Sequence, residues 1–148
     1  MTASVAREII EAAIIRLEGL DLINGNEIFV EENVPATTKD KSFTIHWNEG
    51  TLDLDSPGVN RRATIERNLE IQIFRKALKT ASGDKQKNVL LDMYDKEQEV
   101  FANIMTTRLT TKVRFEQLVS TTVETTELGP DEWLVNTMIF VFKYEVQV

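Results

Sequence analysis

A single histidine, a scatter of carboxylates and no cysteine set the limits of the chemistry open to this 148-residue chain. His46 lies in the stretch Phe43 to Trp47, where apolar and polar residues alternate. It therefore falls on the polar side of a strand whose other side carries Phe43, Ile45 and Trp47. A histidine acting as a general base needs an orienting partner and a substrate pocket. A lone strand histidine more often has neither, so His46 reads as a strand residue and not as a catalyst. Asp53 and Asp55, with Glu49 nearby, are the carboxylates closest to a metal-binding pattern, since paired carboxylates hold Mg²⁺ or Ca²⁺. Their spacing is not that of a calcium loop, and Leu52 and Leu54 interleave, so the acids read as members of a solvated loop. Serine and threonine are plentiful, but no nucleophile elbow surrounds any of them. Gly83 and Gly129 stand alone, without the glycine-rich loop that cradles phosphate. The lack of cysteine removes disulfides, thiolate nucleophiles and sulfur-ligated zinc. No catalytic residue, cofactor or metal site is expected.

The elements that must carry these residues follow from periodicity. Val5, Ile9, Ala12, Ala13 and Leu17 recur at helical spacing and predict an amphipathic helix over 3–20, weakened at its end by Gly19. Asn24-Gly25-Asn26 signals a turn, and Glu27–Glu31 a short strand. Residues 32–42 and 48–60 read as loops around the Phe43–Trp47 strand. Over 62–76, Ile65, Leu69, Ile71 and Ile73 share one face and Glu66, Glu70 and Gln72 the other, with Arg67 interrupting the apolar side. Asp84 is a helix N-cap candidate. The helix after it runs from about 85 to 104, with Leu90, Met93, Tyr94, Phe101 and Ile104 on one stripe and Glu97 intruding on it. Residues 111–127 alternate loosely. The many threonines from Thr106 to Thr126 read as the outer face of strands. After the turn at 128–131, Leu134, Met138, Phe140, Phe142, Tyr144, Val146 and Val148 define the core side of a last strand. Trp133 lies off that side and is expected to be at least partly exposed.

Helix, strands, helix and hairpin in that order predict an α+β fold. Its expected form is a mostly antiparallel sheet with helices packed on one face and a long C-terminal β-hairpin, in a single domain over 1–148. At 42% hydrophobic and 28% charged residues, the composition is globular. A sixteen-residue final strand spans roughly 50 Å. A domain of this length has a diameter of roughly 40 Å. The hairpin must therefore bulge, bend or project.

Net charge is −7, which argues against free binding to a nucleic acid backbone. The charge is segregated: residues 61–79 carry a local +4, residues 31–58 a local −4 and residues 115–148 a local −5. Such blocks read either as solvated faces or as patches that meet between subunits. No apolar run approaches the roughly 18 residues of a membrane span. Arg7, Glu8, Glu11, Arg16 and Glu18 exclude the apolar centre of a secretory signal. The chain is thus expected to be made and kept in a cytoplasm.

The opening helix Val5–Leu20, the Glu27–Glu31 strand, the Glu-Asn-Val-Pro run at 32–35, the Ile65–Phe74 strand and the Trp133–Val148 strand together resemble the tail terminator, or head–tail joining, proteins of tailed bacteriophages. The likeness lies in the order of elements over nearly the whole chain and not in a shared motif. It implies a structural protein of the virion tail or neck. In that family a hexameric ring caps the tail tube and offers a surface to the head connector or stopper, and DNA passes through its centre without specific binding. Arg61, Arg62, Arg67 and Trp133 are then candidates for the subunit interface. Glu49, Asp53 and Asp55 are candidates for its acidic partner or for the lumen, where like charge keeps DNA from sticking. A stopper or head-completion protein and a tail tube subunit fit the same element order. From other classes, a metal-dependent hydrolase using Glu49, Asp53 and Asp55, or a ligand-binding α+β module with a cavity under the second helix, remain open.

Overall fold

The computed structural model describes residues 4–24, 40–47, 51–54, 62–77, 83–128 and 131–147. Helix α1 (Val5–Glu18) opens at Ser4, whose hydroxyl accepts from the Arg7 amide at 3.2 Å and satisfies an N–H that the first turn leaves unpaired. Ile9, Ala13 and Leu17 are its buried stripe. The chain leaves through Gly19 and turns at Asp21, which takes a left-handed φ of 59°. A short polar side chain tolerates that conformation.

Six strands follow: β1 (Ile23–Asn24), β2 (Ser42–Trp47), β3 (Thr51–Leu54), β4 (Arg62–Ala77), β5 (Val113–Leu128) and β6 (Asp131–Gln147), with helix α2 (Gly83–Thr106) between β4 and β5. The sheet runs β1-β2-β4-β6-β5, with β3 also on β4. Every pairing is antiparallel except that of β1 with β2. Strands β2 and β3 lie end to end along one edge of β4, opposite 69–74 and 63–66 respectively. The expected α+β architecture is therefore the observed one.

Several details differ from the sequence reading. The loop expected at 48–60 contains β3, a strand too short to show a period. Asn24, expected in a turn, closes β1 and pairs in parallel with Phe43. The Glu27–Glu31 strand, and 32–39 of the first loop, lie outside the described residues. Strand β6 stays in register with β4 from Gln147 opposite Arg62 to Glu132 opposite Ala77, so the hairpin has β4 beside it along its full length. Its length is absorbed in β5, which shifts register between Val113 and Phe115 and again between Leu118 and Ser120.

Both helices cover one sheet face. Ile9, Leu17, Met93, Val100 and Ile104 join Phe43, Ile45, Leu69, Ile71, Ile73, Met138, Phe140 and Phe142 in one buried cluster. The core stripe of α2 is thus Met93, Val100 and Ile104, while Tyr94 and Phe101, expected on it, are exposed. Each lies one residue from a true core position, which is about 100° around the helix. Threonine also departs from the expectation. Thr106 ends α2 and Thr110 precedes β5, while Thr121 and Thr125 stand opposite Met138 and Leu134 on the helix side of the sheet. The bulge before Ser120 resets which residues face the core.

Candidate assembly surfaces

Strand alternation decides where the candidate residues go. Along β4, Ile65, Arg67, Leu69, Ile71, Ile73 and Arg75 share the helix side, and Thr64, Glu66, Asn68, Glu70 and Gln72 share the outer side. The basic block at 61–79 is consequently divided. Arg67 is half-buried on the helix side, opposite Phe142. Arg75, on the same side, meets Asp40 at 3.4 Å and Asp92 of α2 at 4.0 Å. Lys76 lies on the outer side, and its amide donates to Asp40 at 2.8 Å. Arg62 begins β4 opposite Gln147, and Arg61 lies outside the described residues.

Trp133, expected to be at least partly exposed, is only 5% exposed. It lies off the main core, as its parity requires, and packs with Phe74 and Val135 in a second small cluster on the outer face. A sheet with apolar residues on both sides at one end can bury a residue that alternation assigns to the outside.

Asp53 sits in β3 opposite Thr64, whereas Glu49 and Asp55 lie outside the described residues. His46 is on the outer side opposite Glu70, consistent with the polar side assigned to it. Among the described residues, no three His, Cys, Asp or Glu side chains gather closely enough to hold a metal. An open groove between the helices is lined by Arg16, Leu20, Glu99, Ala102, Asn103 and Thr106.

Two features that position α2 escaped the sequence reading. The Arg16 guanidinium donates to the carbonyls of Asn103 at 3.0 Å, Ile104 at 3.2 Å, Thr107 at 2.8 Å and Arg108 at 2.9 Å, and to the Thr107 hydroxyl at 2.8 Å. It thereby caps the carbonyl end of α2, where the helix dipole is negative. Glu97, the apparent flaw in the apolar stripe, accepts from Asn136 Nδ2 at 2.6 Å and from Thr121 Oγ1 at 2.7 Å. Asn136 interrupts the core face of β6 and is fully buried, so the two interruptions satisfy each other. Close by, Glu116 Oε1 accepts from the Leu109 amide at 3.1 Å. Burial raises the Glu116 pKa above its usual 4.5, partly offset by that amide and by Arg16 and Arg108.

The other flank of α2 is bare. Leu91, Tyr94 and Phe101 are exposed by 49, 49 and 40%. Beneath Tyr94 and Phe101 runs β5, the last strand of the sheet, which pairs only with β6 among the described residues. Val119, at the second bulge of β5, is also exposed.

The sequence matches no protein-family profile. It matches no curated protein either. Its fold has a counterpart among solved structures, in a chain of one described as the virion of a native gene transfer agent (GTA) particle. The two share a TM-score of 0.51 at 12% sequence identity, over 98% of this chain and 100% of the other. At that identity the likeness is one of fold, and it extends from end to end of both chains.

Proposed function

We propose that this chain is a non-enzymatic structural protein of a phage-like virion, acting as one compact unit, and within that class a tail terminator. Copies would close into a hexameric ring that caps the tail tube and meets the head connector or stopper, with DNA passing through unread. The carrying observation is the fold shared end to end with a chain of a gene transfer agent virion. The open β5 edge and the bare flank of α2 add support, because a monomer that acts alone gains nothing from leaving both uncovered.

Ring closure joins two different patches on successive subunits. The basic start of β4, Arg61 and Arg62, and an acidic segment at 31–58 are the proposed pair. The test is electron microscopy of purified protein carrying Arg61→Glu together with Arg62→Glu, beside the unaltered chain. Rings in the unaltered sample, lost or reduced in the variant, support the pairing. Undiminished rings in the variant remove these arginines from the interface, and an absence of rings in both samples under all conditions counts against the terminator reading.

A further inference from the structure

We infer that the open edge of β5, together with the flank of α2 above it, is a strand-addition site for an extended segment of a different protein, one carrying basic side chains beside apolar ones. The inference goes beyond ring closure and uses other residues. The sixteen residues of β5 present backbone N–H and C=O groups along one side with no strand beside them among the described residues. Such an edge is a template for an incoming strand.

The helix supplies the second part. At about 100° per residue, Tyr94 and Phe101 lie roughly a quarter of a turn from the centre of the Met93–Val100–Ile104 stripe, whereas Leu91 lies nearly half a turn from it, on the far side of the helix. Lys96 and Asn103, which reach α1 through the Leu20 carbonyl and Arg16, lie on the opposite flank. Tyr94 and Phe101 therefore overhang the β5 side, where Thr121 already meets Glu97. Leu118 and Val123, half-buried on the helix side of β5, extend the apolar floor toward the edge. A strand added beyond β5 would place every second side chain in that space.

Area shows that neither part suffices alone. Two half-exposed aromatic side chains offer roughly 200 Å². A stable interface takes about 800 Å² from each partner. The backbone edge must supply the remainder.

Charge identifies the occupant. Residues 115–128 contain Glu116, Glu124 and Glu127 and no lysine or arginine. Strands β1, β2 and β3, on the opposite side of the sheet, hold no lysine or arginine, and Asp53 is their one carboxylate. Pairing the β5 edges of two copies would oppose two acidic strands, and like charges across a strand pair are destabilising, while the other edge offers no lysine or arginine to meet the β5 carboxylates. A different chain with lysine or arginine in the strand meets no such penalty.

The experiment is amide hydrogen exchange on the full chain, with a synthetic peptide of about ten alternating valines and lysines, enough to cover roughly 30 Å of edge. Two control peptides are its backbone N-methylated form and a valine–glutamate counterpart. We expect the first peptide to slow exchange of β5 amides by about tenfold or more, and both controls to bind at least about tenfold more weakly. The double variant Tyr94→Ser with Phe101→Ser alters exposed positions only, so circular dichroism should be unchanged while peptide affinity falls about fivefold. Equal binding by the N-methylated peptide would reduce the effect to bulk charge attraction and overturn the proposal. Absent protection of β5, equal protection by the glutamate peptide, or protection of β5 by self-association alone would also overturn it.

Discussion

On the side facing α1, helix α2 is tied down: Arg16 caps its last carbonyls, and Lys96 donates to the Leu20 carbonyl at 3.0 Å. On the side facing β5 it carries Tyr94 and Phe101 into solvent above a strand with no outer neighbour among the described residues. The two flanks belong to one helix with one composition, so propensity does not explain the contrast. What separates them is the layer below. Toward α1 the sheet continues through β4 to β2 and β1, and a second helix fills the space. Toward β5 the sheet stops, and no element follows among the described residues. The closed flank reads as the fold's own stability and the open one as surface held for a partner.

Substitutions on the two flanks should therefore separate stability from assembly. The largest effect belongs to the stripe between them: Ile104→Ala should cost about 3 kcal/mol in urea unfolding, as cavity-forming core changes do. On the closed flank, Arg16→Ala leaves several α2 carbonyls without a donor and should cost about 2 kcal/mol. Arg16→Lys should recover less than half of that, because an ammonium cannot reproduce the planar fork. A loss below about 0.5 kcal/mol in Arg16→Ala would show that water replaces the cap and that the closed flank is no tighter than the open one.

A smaller effect is expected from Glu116→Gln. Burial raises the folded-state pKa of Glu116 above the unfolded value, so its stabilising contribution is present below the ordinary glutamate pKa and is lost as pH rises through the folded pKa. Glutamine keeps the acceptor for the Leu109 amide and carries no charge. The variant should thus gain on the unaltered chain in thermal stability between about pH 4 and pH 7. A difference that does not change with pH would contradict the burial of that carboxyl. The smallest effect on stability is expected on the open flank, where Phe101→Ser should change unfolding by less than about 0.5 kcal/mol. A larger loss would mean that Phe101 packs in solution and that the flank is not bare.

Much of this contrast lay beyond the sequence. The apolar faces of α1, β4 and β6 were legible because a single burial direction imposes a clean period. In α2 the period was blurred, because Tyr94 and Phe101 add apolar residues beside the Met93–Val100–Ile104 stripe, and two stripes merge into one broad apolar arc. That ambiguity carried information: a second apolar stripe on a helix is what an unfilled contact looks like in sequence. Glu97 and Asn136 each looked like a flaw in its own element, and only the tertiary pairing shows them as one device. The reach of Arg16 to residues about ninety positions away, the four-residue β3 and the bulges of β5 have no local signature. Trp133 was misjudged because alternation gives the face of a residue and not whether that face is covered.

The most direct test of the proposed assembly role is solution mass by light scattering across a range of protein concentrations at low and high salt. The account predicts a closed hexamer, or a monomer that converts to one as concentration rises, with the conversion weakened by salt because opposite charges close the ring. A strictly monomeric protein under every condition, including at high concentration and low salt, would contradict self-assembly into a ring.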